Sequence, residues 1–334
     1  LGILPPQVHG KAPPASRLVA RLAARHVRTR LSLPLKTYGP FGWAKGPLDL
    51  SLYPPSPYNA FMTAFVKMHG LGNDFVVFDA RDGAFALSGE RAKAIADRHF
   101  GVGCDTVVVI RPGGAEFDAS ILFYNADGSQ SESCFNATRC VARLLLDERG
   151  LARVKLSTEG GVLICSDAGK GSVMVDMGPP RLDWQQVPLA SEVDTANFLL
   201  EVAGSGIPVS AVSMGNPHCV LFVPDAQNAP VASLGPKIET LPFFPNRTNV
   251  EFAQVLDRER IRMRVWERGV GVTLACGTGA CATAVSAIRR GLTDRKVELL
   301  LDGGSLIIEW REEDGHMLMT GPTAMPFRGR LDKL

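Results

Sequence analysis

Long apolar runs, a surplus of either charge and the spacings that hold metals are all scarce in this chain, and each shortage removes a class of function. The longest apolar stretches, such as Val107 to Ile110, fall far short of the roughly 20 residues a membrane helix needs. No transmembrane span and no membrane partner are expected. The formal net charge is only +2 over 334 residues. Even that excess is local, because residues 1 to 61 hold eight Lys or Arg against one Asp, leaving 28 bases and 33 acids in the remainder. A body without basic surplus predicts no nucleic-acid partner. Seven cysteines form an odd set and, with no signal peptide, fit free thiols in a reducing compartment. Their spacings at Cys134 to Cys140 and Cys276 to Cys281, C-x5-C and C-x4-C, are not the tight pairs of structural zinc sites. Gly70-Leu71-Gly72 lacks the later glycine and the acidic partner of a dinucleotide-binding turn.

What is present is enough for a large core. With 46% apolar and 21% charged residues, a chain of this length accommodates two domains. The first 61 residues carry ten of the 23 prolines, which predicts little fixed structure there. Ser16 to Leu33, rich in arginine and poor in acids, has the composition of an organelle transit segment. The simpler expectation is that ordered coding begins at Met62. From Phe65 the chain turns to short β-rich runs: Phe75 to Phe78, Thr106 to Ile110, Ser120 to Tyr124, Val154 to Leu156, Val162 to Cys165 and Ser172 to Asp176. A second series covers Ile207 to Met214, His218 to Val223, Asn249 to Val255, Arg262 to Glu267, Val297 to Leu301 and Ser305 to Trp310. Helices are predicted over Gly89 to His99, over Cys140 to Arg149 with Gly150 as its stop, and after Cys276 up to Arg290 before Gly291. Strand-rich halves, each with a long helix, predict an α+β fold.

The two series share landmarks. Cys134 stands nine residues after Asn125, and Cys276 nine after Glu267. Gly72-Asn73 and Gly215-Asn216 precede them, with Asn73 61 residues before Cys134 and Asn216 60 before Cys276. Such repetition suggests a pseudo-twofold molecule with facing cysteines. A cysteine just before a helix sits near unpaired N–H groups and the positive end of the helix dipole, which is expected to lower its pKa from about 8.5 and make the thiolate a usable base. Small or polar residues follow each sulfur, Asn136-Ala137 and Gly277-Thr278-Gly279, as expected where backbone cradles a carboxylate. One thiolate and one thiol on opposite faces of a carbon acid would invert its configuration.

Six segments carry a resemblance: Lys67 to Phe75, Tyr124 to Ser129, Gly215 to Cys219, Arg247 to Glu251, Glu267 to Gly269 and Ala275 to Cys281. In order, across roughly residues 62 to 332, they closely resemble diaminopimelate epimerase. The resemblance implies interconversion of LL- and meso-diaminopimelate, the small-molecule substrate, by two cysteines and without pyridoxal phosphate, metal or other cofactor. It implies Cys134 and Cys276 as acid and base. Asn73, Asn125, Asn216, Asn249 and Arg268 would hold the distal amino-carboxylate, and Glu267 the reacting amino group. Asn136, Gly277 and Thr278 would cradle the reacting carboxylate, with His218 near the cysteines setting their protonation. The implied architecture is two pseudo-symmetric domains, each a barrel-like mixed sheet around a central helix, with the site in the cleft. Its boundaries are a leader at 1–61, a first domain at 62–178 plus 318–332, and a second at 179–317. Gly321-Pro322 would return to the first domain. A homodimer in a bacterial cytoplasm, supplying a precursor of lysine and peptidoglycan, is the implied setting, or a plastid if the leader is a transit peptide.

One departure stands out. The family typically has glycine after its first catalytic cysteine, where this chain has Phe135. A large side chain where backbone must approach a carboxylate, and which takes φ > 0 only at a cost if the position requires it, predicts a loss of turnover. A silent, ligand-binding homologue and a proline or hydroxyproline racemase are the alternatives. Taken singly, the asparagines would be turn residues, Glu267-Arg268 a solvated pair, His218 a core histidine, and Cys104, Cys165 and Cys219 core residues. Cys140 and Cys281 are expected to pack on the catalytic helices.

Overall fold

β-Branched and alternating runs become strands, and the longest helices among the described residues are the two that follow the paired cysteines. The computed structural model describes residues 63–83 and 86–331; the expected leader at 1–61 and its Arg-rich segment lie outside them. The first half comprises β1 (Thr63–Gly70), β2 (Asn73–Asp79), α1 (Gly89–Ala96), β3 (Thr106–Pro112), β4 (Ala119–Asn125), β5 (Gln130–Ser131), α2 (Phe135–Arg149), β6 (Arg153–Thr158), β7 (Gly161–Asp167) and β8 (Ser172–Asp176). The second comprises β9 (Phe198–Val202), β10 (Ser205–Ser213), β11 (Pro217–Phe222), α3 (Val231–Glu239), β12 (Asn249–Val255), β13 (Arg260–Glu267), β14 (Gly271–Val272), α4 (Gly277–Arg289), β15 (Lys296–Leu301) and β16 (Gly304–Trp310). Then follow β17 (Met317–Pro322) and β18 (Ala324–Leu331).

The repeat seen in the landmarks extends to the strand pairings. Along β1, β2, β3, β4, β6, β7 and β8 the neighbours run antiparallel, parallel, antiparallel, parallel, antiparallel, antiparallel. Along β10, β11, β12, β13, β15, β16 and β17 the same senses recur in the same order. Parallel neighbours cannot be joined by a tight turn, so each parallel pair needs a crossover. α1 and α3 supply the first crossover of each half, α2 and α4 the second. Strand β17 is the seam, antiparallel to β16 on one edge and to β8 on the other, with Gly321 opposite Val173 and Pro322 opposite Ser172. Strand β18 then pairs with β1. The fold is α+β, two pseudo-symmetric halves in which a mixed sheet wraps a central helix. Helix α2 packs on β1, β2, β3, β6, β7 and β8, and α4 on β10, β11, β12, β13, β15, β16 and β17.

These helices owe their stability to burial. Helix α4 is buried all round from Gly277 to Ala287, and its Gly, Ala, Thr, Ser and Cys side chains let strands approach from every side. Helix α2 buries Ala137, Cys140, Val141, Leu145 and Leu146. Leu145 is fully buried, so Leu145→Ala is expected to cost about 2–5 kcal/mol, measurable as a lower urea midpoint at unchanged slope. Three boundaries differ from expectation. Helix α1 stops at Ala96 rather than His99, because the Asp97 carboxylate accepts from the His99 and Phe100 amides and turns the chain. Helix α2 begins five residues early, at Phe135; its polar first turn, Asn136-Ala-Thr-Arg139, faces buried partners rather than solvent. Helix α4 ends at Arg289, with Arg290 as its cap. Gly150 and Gly291 adopt the left-handed conformation, with φ of 64° and 69°, that ends a helix.

Candidate active site

Cys134 and Cys276 are the N-caps of α2 and α4, so the crossover geometry of the repeat delivers one thiol to each equivalent position. The helices touch, and a β-carbon built on Gly277 would lie 3.7 Å from Asn136 Oδ1. The two starts are thus neighbours. The thiol of Cys134 lies 4.0 Å from Asn73 Oδ1, and the Asn136 amide donates to that same oxygen at 3.2 Å. Asn73 is held from behind, donating to Asp105 at 2.9 Å. On the other side the Gly279 N–H donates to Cys276 Sγ at 3.4 Å, and Thr278 Oγ1 stands 3.5 Å from the sulfur. Asn216 donates to Thr278 Oγ1 at 3.4 Å and offers its oxygen to His218 Nε2 at 3.0 Å. His218 Nδ1 meets Glu251 Oε1 at 2.7 Å, both side chains being fully buried.

Glu267 acts on both thiols through its charge. It accepts from Thr273 Oγ1, and burial raises its carboxyl above the usual carboxylate range. Its charge opposes ionisation of both cysteines. Asn249 Oδ1 accepts the Arg268 N–H at 2.9 Å, and Arg268 donates to the Asn246 carbonyl at 3.0 Å. A cavity of about 570 Å³ opens beside this pair, lined by Arg181, Gln186, Ser213, Gly215, Pro217 and Arg268 among others. Asn125 is the outlier: it is exposed and donates to Ser129 within its own turn. Sequence reasoning had passed over Glu251, Arg139 and Glu239. Glu251 follows Asn249 by two in β12 and so shares its face; a glutamate inside Val250-Glu251-Phe252-Ala253 was the available signal. Glu239, buried on α3, accepts from Trp266 Nε1 and the Gly269 N–H, both at 2.7 Å, and so holds the turn that carries Glu267 and Arg268.

The expected thiolate is corrected by burial. Loss of water pushes the Cys134 thiol up to about 11, with the Ala137 N–H pulling back and Glu267 pushing further. Burial, then Glu267 and Glu251, hold Cys276 well above its ordinary range, against Thr278 and the Gly279 N–H. Helix-start donors act in the predicted direction, but desolvation outweighs them. Burial therefore favours the neutral form of both thiols. His218 is engaged by Glu251 and Asn216 oxygens at its two ring nitrogens, so it reaches Cys276 only through Asn216 and Thr278. Cys140 and Cys281 are fully buried, and burial pushes each to about 12.

Phe135 occupies the first turn of α2 without a positive φ. Its side chain packs, partly buried, on the main core. The backbone ground for expecting lost turnover is therefore absent. Phe135→Gly is expected to cost about 1 kcal/mol of helix stability and to change turnover by no more than about tenfold. A larger gain in a steady-state assay would mean that the ring obstructs the ligand.

The comparisons converge on one family. The chain matches the profile described as Diaminopimelate epimerase over residues 65–182 and 210–326. It is 54% identical over 274 residues to a diaminopimelate epimerase of Rhodospirillum centenum, covering 80% of this chain and 92% of that protein. The corresponding enzyme of Phenylobacterium zucineum is 50% identical over 270 residues, with 80% and 97% covered. In shape the chain resembles a crystal structure of a hydroxyproline epimerase from Agrobacterium vitis, with a TM-score of 0.58 at 16% identity, covering 82% of this chain and 92% of that one. That likeness is one of fold. Identity near one half along nearly the whole length of the relatives, on a fold whose repeat brings two N-cap cysteines together, puts this chain in the diaminopimelate epimerase family of isomerases.

Proposed function

We propose that this chain interconverts LL- and meso-diaminopimelate by two-base proton transfer at the α-carbon, with Cys134 and Cys276 on opposite faces. The observation that carries the reading is the pair of N-cap thiols on helices whose starts touch. An α-carboxylate resting between those starts meets backbone N–H groups from both. Such donors, aimed at the oxygens where carbanion charge develops, are the main requirement for abstracting so weak a proton. The site-residue roles follow the same reading: Asn136, Gly277 and Thr278 at the reacting carboxylate, Glu267 at the reacting ammonium, and Asn73, Asn125, Asn216, Asn249 and Arg268 at the distal end. His218 supports from behind.

Because burial and the Glu267 charge disfavour ionisation of both thiols, we assign formation of the thiolate to the substrate complex. The ligand's ammonium adds a positive charge beside the sulfurs, and Glu267, whose charge acts on both, is the carboxylate we assign to accept a thiol proton. One sulfur then removes the α-proton while the other, still protonated, supplies the opposite face. No cofactor or metal enters this scheme. The test is to incubate reduced protein with LL-diaminopimelate in heavy water without additives and follow the α-proton by NMR. Loss of the signal together with appearance of the meso isomer is expected. Binding without exchange would leave a silent homologue, and exchange on proline in place of diaminopimelate would reassign the substrate.

A further inference from the structure

Arg139 lies in the first two turns of α2 and is fully buried. Among the described residues it has no carboxylate partner. One Nη donates to Asn136 Oδ1 at 2.8 Å, the other stands 3.5 Å from Met319 Sδ, and Nε has no hydrogen-bond partner. Backbone closes around it, since a β-carbon on Gly70 would come within 3.1 Å of Nη2 and one on Gly321 within 3.2 Å of Nε. The other buried ionisable groups of the site differ. His218 faces Glu251, and Glu267 accepts from Thr273. Desolvating a guanidinium without a counter-ion disfavours folding, and apolar residues of similar volume often replace buried ionic groups without loss. Stability therefore does not account for an arginine here.

We infer that Arg139 is a positioning residue of the site: it fixes the Asn136 amide and supplies the buried positive charge that is matched when Cys134 ionises. The inference rests on the proposed thiol chemistry. Because Asn136 Oδ1 is taken by Arg139, its amide nitrogen is turned to Asn73 Oδ1, the oxygen that also faces Cys134. Around the guanidinium the titratable groups are Cys134 and Cys140 of α2, Cys165 of β7 and Cys281 of α4. Cys134 also senses Glu267 from β13, whose charge works the other way. Of these thiols, Cys140, Cys165 and Cys281 are wholly buried while Cys134 is partly accessible, so Cys134 is the thiolate this cation can serve. No pairing has to break for it to do so.

Two variants, Arg139→Met and Arg139→Lys, test the inference with a readout independent of turnover. Alkylation of Cys134 at pH 9, followed by peptide mass spectrometry, reports its thiolate fraction. Removing the cation in Arg139→Met is expected to slow alkylation about tenfold, one pKa unit, and to lower kcat by at least about a hundredfold with little change in KM. Arg139→Lys keeps the charge and is expected to alkylate within about threefold of wild type, with an intermediate kcat. A folded Arg139→Met protein with wild-type alkylation and pH profile would overturn the inference. So would an Arg139→Met protein that fails to fold while Arg139→Lys folds and alkylates far more slowly than wild type, since the arginine would then be a structural support. If wild type shows no α-proton exchange, the proposed reaction fails, yet the alkylation comparison still decides the role of Arg139.

Discussion

Alanine at Cys134 or at Cys276 is expected to abolish inversion while leaving half of the chemistry in place. The caps sit on separate helices, one in each half of the repeat, so each alanine removes the acid or base from one face only. Loss of a positioned acid or base costs about 10²–10⁴ in rate, and inversion needs both. Interconversion by either single variant should fall by at least about 10³. The surviving thiol can still take a proton from its own face, trade it with solvent and return it. In heavy water Cys134→Ala should therefore exchange the α-proton of one isomer without inverting it, and Cys276→Ala that of the other. Wild-type-like inversion by either variant, or exchange of both isomers by one of them, would sink the two-base reading.

The repeat and the cysteine pair were legible because they are written locally. Two helix starts, a nine-residue spacing and β-branched runs are all contiguous signals. Helix α3 was not legible, since Gly235-Pro236 reads as a breaker in sequence. In the fold a β-carbon on Gly235 would come within 2.5 Å of Trp266 Cβ, so the glycine is there for contact with β13, and Pro236 is tolerated inside the short helix. Strands β1, β17 and β18 take their order from partners far along the chain, β18, β8 and β1 respectively, which no local window sees. The sign of the thiol shifts was illegible for a related reason. Helix-start donors are local to Cys134 and Cys276, whereas desolvation and the charges of Glu251 and Glu267 come from strands elsewhere in the fold. The partners of Asn73 and Asn249 share that origin: Asp105 and Arg268 reach them only through strand register and turn geometry.

Gly279→Ala is expected to reverse the usual sign of that substitution. Inside a helix alanine is favoured over glycine by about 1 kcal/mol, and Gly279 is the third residue of α4. Here the new β-carbon would lie 2.7 Å from Glu251 Oε1 and 3.3 Å from Cys276 Sγ. Neither neighbour gives way cheaply. Moving the Glu251 carboxylate stretches its 2.7 Å bond to His218 between two fully buried side chains, and moving the sulfur detaches it from the Gly279 N–H. Overpacking of this kind costs about 1–3 kcal/mol, so a net loss of stability is expected in place of a gain. Displacing a reacting sulfur by even a fraction of an ångström should also cost at least about a hundredfold in turnover. Gly150→Ala separates the causes. Gly150 has φ 64° with open space around its missing side chain, so that variant should lose about 1 kcal/mol and keep full turnover. Urea unfolding and α-proton NMR on both variants read the two effects apart, and a Gly279→Ala protein more stable than wild type and fully active would mean that Glu251 does not press on the start of α4.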